Sequence, residues 1–326
     1  MKAFVRTRYG PPDVLQLKEV ATPALADNQV LVKVHAASVN PLDWHFMRGE
    51  PRFIRLITGL RKPKHSILGS DIAGRVQAIG ASVKLFQPGD EVFGGVGVGG
   101  FAEYACAIEN QLALKPANLS FEKAAAVPIA AVTALQGLRD KGHIKPGSKV
   151  LVEGASGGVG TFAIQIAKSL GAEVTAVCSA GKLETARSLG ADHVIDYAQE
   201  DFTRSGLHYD LILGANAYHS LFDYRRVLSP GGIYVSTGGK ATFLGMLQGM
   251  FLAPLLSIGP RKMRGLIANM NWKDLALLKN LLEAGKVLPV IDRRYPFSEL
   301  TDAIRYLEEG HARGKVVIAF EDRNSV

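Results

Sequence analysis

The fold of this chain is decided by residues 149–178, which read KVLVEGASGGVGTFAIQIAKSLGAEVTAVC. An apolar run, a glycine-rich turn, a stretch of helical spacing and a second apolar run predict a strand-turn-helix-strand unit. Ala155, Gly157 and Gly160 occupy the positions of G-x-G-x-x-G that tighten the turn, admit a pyrophosphate and let helix pack on strand; Ala155 departs from the strict pattern. The turn also contains Ser156, Gly158 and Val159. We predict a dinucleotide at this helix amino terminus; the alternative is a turn that only packs.

The residues after the second strand indicate which dinucleotide binds. Sites for NAD place an Asp or Glu there to hold the ribose hydroxyls, but this chain continues with Ser179, Ala180, Gly181 and Lys182. A hydroxyl and a cation suit a 2′-phosphate. Tyr197, which ends the run HVIDY, would add a phenolic donor. The sequence favours NADPH; the alternatives are a solvated Lys182 and a tyrosine at the edge of the core.

The pattern of short runs divides the chain into three parts. Residues 1–122 contain β-like runs punctuated by Gly and Pro, which predicts a β-rich domain. Residues 123–263 alternate apolar strands with helical stretches, as in a buried parallel sheet. Residues 264–326 contain helix candidates at Asp274–Ala284 and Glu299–Glu309, then the run GKVVIAF, which we expect to return to the first domain.

Composition narrows the class of protein. The 326 residues are 47% hydrophobic and 21% charged, which is typical of a globular chain. The amino terminus lacks the features of a secretory signal, so we expect a cytoplasmic protein. The two cysteines lie far apart and support neither a disulfide framework nor a thiolate zinc cluster. The net charge of +8 suits an anionic cofactor, with general surface basicity as the alternative. Without a nucleic-acid-binding motif we do not expect a nucleic-acid partner.

Several separated stretches together resemble one family. They are VLVKVHAASVNPLD at 30–43, ILGSDIAGRVQAIGASVKLFQPGDEVFG at 67–94, AAAVPIAAVTALQGL at 124–138, VLVEGASGGVG at 150–160, RSLGADHVIDY at 187–197 and GHARGKVVIAF at 310–320. Over nearly its full length the chain resembles medium-chain dehydrogenases/reductases of the zinc-independent quinone oxidoreductase type, particularly the branch of chloroplast-envelope quinone oxidoreductase-like enzymes. The resemblance implies an α/β protein with a GroES-like β-rich catalytic domain, a Rossmann doubly wound parallel-sheet domain, a cleft between them, and a homodimer.

The resemblance also permits a comparison with zinc alcohol dehydrogenases. Their first zinc cysteine would fall near Val39 and Asn40, and their His-Glu pair would fall at Ser70 and Asp71. Catalytic zinc needs three protein ligands, and Asp71 alone does not supply them. We therefore expect no zinc and no metal-binding residues.

The same resemblance assigns candidate site residues. Asn40 is placed on the cleft wall near nicotinamide and substrate, and Thr133 on the cofactor side; both have the alternative of a satisfied structural polar group. Trp44 is a candidate apolar lid over a flat substrate. Asp43 completes this catalytic set, although we interpret it as a turn or cap residue rather than an acid. Gly238 and Gly239 are expected to pass close to the nicotinamide, or to form a simple loop.

These features predict hydride transfer from NADPH to an enone, enal or quinone, an acceptor that needs no Lewis acid. Tyr104 and His45 are candidate proton donors without motif support, and water is the alternative. Two other functions stay open: a nucleotide-sensing or nucleic-acid-binding module on this fold, and a metal-free NADP-dependent alcohol dehydrogenase.

Two segments stand apart from this pattern. Residues 48–65, RGEPRFIRLITGLRKPKH, contain six Arg or Lys and one Glu. Residues 241–264, ATFLGMLQGMFLAPLLSIGPRKMR, are apolar and end in cations, but are too short to span a bilayer. We interpret them as a basic solvated loop and a helix that faces a dimer partner or covers the cleft. A lipophilic substrate mouth, or a peripheral contact with an anionic membrane, is the alternative.

Overall fold

The computed structural model describes residues 1–238, 257 and 259–320. Its strands are β1 Lys2–Val5, β2 Gln16–Glu19, β3 Gln29–Val39, β4 Asp71–Ile79, β5 Glu91–Gly95, β6 Tyr104–Ile108, β7 Leu112–Leu114, β8 Lys149–Glu153, β9 Glu173–Cys178, β10 His193–Asp196, β11 Tyr209–Gly214, β12 Leu228–Ser236, β13 Lys262–Gly265, β14 Ile291–Pro296 and β15 Lys315–Ala319. Its helices are α1 Pro41–Arg48, α2 Arg55–Thr58, α3 Phe121–Ala125, α4 Pro128–Gln136, α5 Gly158–Ser169, α6 Leu183–Ser188, α7 Leu221–Arg226, α8 Trp272–Glu283 and α9 Leu300–Glu308.

The chain forms two compact units. Unit 1 contains Met1–Ile129, Met270–Ala284 and Pro289–Val326, and unit 2 contains Ala130–Asn269 and Gly285–Leu288. The first unit thus ends seven residues beyond residue 122, and the amide of its last residue in this part, Ile129, donates to Asp71 Oδ1 at 3.0 Å. The short return of the chain into unit 2 is accompanied by two hydrogen bonds. Gln165 on α5 both donates to and accepts from the backbone of Leu288.

Unit 1 is the β-rich unit. Its main sheet has the order β14-β15-β3-β4-β5-β7, and β6 also pairs with β3. Strand β3 alternates partly exposed and buried residues before it becomes fully buried, which is the pattern of a strand with one face on the core. The carboxyl-terminal strand β15 pairs antiparallel with β3, with Val316 opposite Val39. The end of the chain thus completes the sheet that its beginning starts.

Unit 2 is a doubly wound unit. Its six strands pair in parallel in the order β10-β9-β8-β11-β12-β13, so the chain reverses direction across the sheet between β8 and β11. Ligands of such sheets bind outside the carboxyl ends of the strands at this reversal. Helix α5 is buried from Gly160 to Ala167. The β-rich sheet of unit 1 and the parallel sheet of unit 2 agree with the predicted α/β architecture of two domains.

Within residues 1–238, 257 and 259–320, no helix has the length and apolar character to cross a bilayer. Most of the predicted apolar segment 241–264, including all of 241–256, lies outside the described residues.

Candidate active site

The glycine turn of unit 2 joins β8 to α5 at the reversal point. Gly157 is the N-cap of α5, and a Cβ added there would meet only Gly154 O, at 3.5 Å. At Gly160 a Cβ would lie 2.2 Å from Gly154 O and 2.6 Å from Ala155 Cα. Gly157 therefore leaves open space where a phosphate would approach, whereas Gly160 is required by close packing of helix on turn.

The tightening of this turn falls on a residue that the sequence reasoning passed over. Gly154 has φ +76°, whereas Ala155 is not among the residues with positive φ. Ala155 is fully buried and its amide donates to Val177 O at 3.1 Å. The positive φ in this turn therefore lies on Gly154, one residue before the first motif position, which Ala155 occupies. The available signal was the glycine directly after the strand.

The residues expected to determine cofactor specificity follow two neighbouring strands, at the edge of the sheet formed by the carboxyl ends of its strands. Cys178 at the end of β9 pairs with Asp196 at the end of β10, so Ser179 and Tyr197 emerge side by side. Ser179 is the N-cap of a short 3-10 helix that ends at Lys182, whose amide donates to Ser179 O at 2.9 Å. Lys182 is half-buried, and its charge lowers the pKa of the Cys178 thiol against the larger effect of burial, which raises it.

Two further side chains at this edge were missed by sequence reasoning. Tyr218 is exposed, and its ring centroid lies 6.5 Å from that of Tyr197. Asn216 Nδ2 donates to the Tyr218 hydroxyl at 2.6 Å. Both follow β11, the strand across the reversal point from β9. Their position is set by strand order, which no local motif encodes.

A buried acid lies directly beneath the turn. Glu153, the last residue of β8, accepts hydrogen bonds from His219 Nδ1 at 3.0 Å and from the Tyr224 hydroxyl at 2.5 Å. His219 Nε2 lies 3.3 Å from Asp201 Oδ1. The hydrogen bond to Glu153 raises the pKa of His219, with burial opposing it and both carboxylates adding to the rise. This network joins the strand before the turn to the start of α7.

The remaining cofactor candidates have mixed placement. Thr133 is buried in α4. Gly238 follows β12, and a Cβ there would lie 2.6 Å from Ala215 O, so its lack of a side chain is explained by packing against the loop after β11. Gly239 lies outside the described residues.

In unit 1 the candidates lie in a buried polar cluster. Asn40 follows β3, Asp71 begins β4 and Lys315 begins β15. Lys315 Nζ donates to Asn40 Oδ1 at 2.6 Å and lies 3.4 Å from Asp71 Oδ2, and Asn40 Nδ2 donates to Asp71 Oδ2 at 3.0 Å. Ser38 Oγ donates to the same oxygen at 3.0 Å. Asn40 Nδ2 also donates to Ser38 O at 3.4 Å, so both the oxygen and the nitrogen of this side-chain amide have hydrogen-bond partners.

Asp43 belongs to the same cluster through the backbone. Its Oδ2 accepts from the amide of Asn40 at 2.8 Å, at the start of α1. Burial raises the pKa of Asp43 to about 7; the Asn40 amide opposes this and the Asp71 charge adds to it. The residue therefore makes a helix-start contact, as interpreted from the sequence, and also titrates near neutrality.

The aromatic candidates of this segment are held by local contacts. Trp44 is half-buried and stacks on His45 with ring centroids 3.7 Å apart. His45 Nδ1 lies 2.8 Å from Glu50 O, and burial lowers the pKa of the imidazole. Tyr104 begins β6, opposite Lys33 on β3. The rings of Trp44 and His45 thus form one packed pair.

The described side chains of unit 1 lack the ligands of a catalytic zinc ion. By the family resemblance, Asn40 lies near the position of a zinc-binding cysteine and Ser70 at that of a histidine. The described residues contain no cluster of three or more His, Cys, Asp or Glu side chains that could hold a metal. Both oxygens of Asp71 are occupied: Oδ1 by the Ile129 amide, and Oδ2 by the cluster around Lys315. A cation, Lys315, lies next to the carboxylate. These residues do not fit a zinc site.

Known proteins match both units. The family model for an alcohol dehydrogenase GroES-like domain matches residues 26–117, and the model named zinc-binding dehydrogenase matches residues 189–318. A 2-methylene-furan-3-one reductase of Solanum lycopersicum is 38% identical over 98% of this chain and 79% of its own length. An NADPH-dependent alkenal/one oxidoreductase of Arabidopsis thaliana is 36% identical over the same shares. The structure of a quinone oxidoreductase from Coxiella burnetii has TM-score 0.86 and 32% identity, covering 98% of this chain and 99% of that one.

A GroES-like unit and a doubly wound dinucleotide-binding unit in one chain define a class of two-domain dehydrogenases and reductases. The chain belongs to the medium-chain dehydrogenase/reductase superfamily, in its quinone oxidoreductase-like branch.

Proposed function

We propose that this protein is a zinc-independent, NADPH-dependent oxidoreductase that reduces α,β-unsaturated carbonyl compounds or quinones by hydride transfer. The observation that carries the proposal is the edge of the unit 2 sheet. An open Gly157 at a helix amino terminus is followed, after the next strand, by Ser179 and Lys182 instead of a carboxylate. The relatives named for enone and quinone substrates support the substrate class.

Different residues of unit 2 are proposed to bind different parts of NADPH. The free amides and positive dipole end of α5 suit the pyrophosphate, and the Ser179 hydroxyl and Lys182 ammonium suit the 2′-phosphate. Tyr197 and Tyr218 provide aromatic surface at the same edge. The bound NADPH supplies the hydride, and the chain supplies position and electrostatics.

The donor set of unit 1 supports independence of zinc. The positions that carry ligands in zinc alcohol dehydrogenases are occupied here by an amide, a hydroxyl and a carboxylate paired with Lys315. A conjugated acceptor is already electrophilic, so its reduction does not require a Lewis acid. The cluster keeps Asn40 in a single orientation instead of leaving its amide free to move.

The test measures, at the nicotinamide absorbance, NADPH oxidation with a panel of enones, enals, quinones and saturated aldehydes, and NADP reduction with a panel of alcohols. We expect turnover with the conjugated acceptors, weaker turnover with NADH, and no loss after treatment with a zinc chelator. Loss of turnover on chelation, with recovery on adding zinc, would overturn zinc independence. Turnover restricted to alcohols and NADP would instead support a metal-free alcohol dehydrogenase.

We also propose that the enzyme is a homodimer, as its family resemblance implies. Analytical ultracentrifugation would show a species of twice the chain mass of 35.0 kDa. A single species of monomer mass at micromolar concentration would contradict it.

A further inference from the structure

Residues 52–64 contain none of the residues assigned to the proposed reaction. Three aliphatic side chains there are largely exposed: Leu56 by 68%, Ile57 by 73% and Leu60 by 69%. Exposed cations surround them in the chain, namely Arg52, Arg61, Lys62 and Lys64. We call these seven residues the 52–64 patch. Single exposed leucines are ordinary, but three within five positions among cations are not.

The exposure of these side chains follows from the fold, because hydrogen bonds and a cation–π contact hold the other side of the segment against Tyr9 and Gly49. The Tyr9 hydroxyl donates to Gly59 O at 2.6 Å. The Arg55 guanidinium lies 4.6 Å from the centroid of the Tyr9 ring, and its Nε donates to Gly49 O at 3.1 Å. The amide of Lys64 donates to Thr58 O at 2.7 Å. These contacts fix α2 and the turn after it, so Leu56 and Ile57 are presented outward.

The charges of the segment divide into two groups. Arg48 donates two hydrogen bonds to Glu308, at 2.6 and 3.0 Å, and Arg55 donates to Gly49 O. In the part of the chain that the structure describes, the four cations of the patch form no ion pair. The single acid of residues 48–65 is Glu50. The patch thus combines four exposed cations with three exposed aliphatic side chains in one short segment.

From this combination we propose that the 52–64 patch binds the surface of an anionic phospholipid bilayer. Aliphatic side chains enter the boundary between headgroups and acyl chains, while Lys and Arg pair with the lipid phosphates. A second copy of this chain is a poorer partner, because a two-fold contact would set the four cations against their equivalents. Nucleic acid is also poorer, since the exposed apolar residues are aliphatic and offer no stacking surface. The proposal does not depend on the proposed reaction.

The test is co-sedimentation of the purified full chain with vesicles. Vesicles of phosphatidylglycerol and phosphatidylcholine in equal parts are compared with vesicles of phosphatidylcholine alone, each at low and high salt. We expect at least about tenfold tighter binding to the anionic vesicles, since each cation near such a surface contributes about fivefold. High salt should reduce this preference, because exposed charges are screened.

Matched double variants locate the surface. Leu60→Ser/Arg61→Gln removes one exposed leucine and one exposed cation of the patch, and Lys84→Gln/Leu85→Ser removes the same pair from another exposed segment. We expect the first to weaken anionic-vesicle binding about tenfold, the second to leave it unchanged, and both to keep the parent melting temperature. Absence of vesicle binding, or equal losses in the two variants, would overturn the proposal. Dissociation of an oligomer by the first variant alone would also overturn it, in favour of a protein interface.

Discussion

We propose that Lys182 is the residue that distinguishes the two nicotinamide cofactors. It is the last residue of a short 3-10 helix that follows β9 and has Ser179 as its N-cap, and its charge lowers the pKa of the Cys178 thiol. The position is the one where NAD-binding proteins place an acid. A single side chain at a strand end is thus expected to distinguish cofactors that differ by one phosphate.

Lys182→Glu should weaken NADPH binding by about 1–3 kcal/mol and leave NADH binding nearly unchanged, because only NADPH loses a charge-assisted contact. Lys149→Glu is the control, since Lys149 is exposed at the start of β8, the opposite end of the same sheet. Dissociation constants from fluorescence titration provide the measurement. Equal losses for the two cofactors would show that the 2′-phosphate binds elsewhere.

Because the pKa of Asp43 is raised on folding, we expect the free energy of unfolding to depend on pH. This pKa rises from 3.8 to about 7 on folding, chiefly through burial, so the folded state retains the proton to higher pH than the unfolded state. The associated stability is complete below about pH 4 and is lost as the pH rises toward 7. Asp43→Asn resembles the protonated acid and can still accept from the Asn40 amide. Urea unfolding should therefore show the variant gaining on the parent between pH 4 and 7; parallel curves would refute the titration.

At the scale of elements, the glycine turn and the strand ends have different origins. The turn was predicted from sequence because its spacing is local and its neighbours in space are neighbours in the chain. Even so, its tightest point is Gly154, since the φ of +76° falls on the residue leaving β8. Asn216 and Tyr218 could not be predicted, because only strand order brings β11 beside β8.

The two structural glycines of the turn should respond differently to alanine. Gly157→Ala places a methyl group in open space, so the melting temperature should be retained while NADPH affinity falls by tenfold or more. Gly160→Ala places the methyl 2.2 Å from Gly154 O, which should lower the stability by about 1–3 kcal/mol. Thermal unfolding and cofactor titration of both variants give the comparison. Unaltered stability of Gly160→Ala would mean that the turn yields easily.

The strand β15 is linked to β3 and β4 through Lys315. Lys315→Met should destabilise unit 1 by about 3–5 kcal/mol, because it leaves the fully buried Asp71 carboxylate without its cation. Adding Asp71→Asn should restore part of the loss, since the remaining group is neutral. Urea unfolding of the single and double variants measures this coupling, and additive losses would argue against it.

For the whole molecule, cofactor and metal should act differently on stability. NADPH at about 100 times its dissociation constant should add about 2.7 kcal/mol, seen as a rise in melting temperature. NADH at the same concentration should add less. Zinc should produce no rise, because Lys315 and the saturated Asp71 oppose a metal. A zinc-dependent rise abolished by Asp71→Asn would contradict the assignment.

The sequence by itself determined the two-domain architecture and the glycine turn, because each depends on short-range periodicity or spacing. The preference of Ser179 and Lys182 for NADPH stays a prediction. The tertiary structure decided the rest. Asn40 and Asp71 are 31 residues apart, and Lys315 is 244 residues beyond Asp71, yet their side chains meet. Strand pairing alone brings them together. The amide of Asn40, for which the sequence left open a satisfied structural polar group, is therefore held between a buried cation and a buried carboxylate.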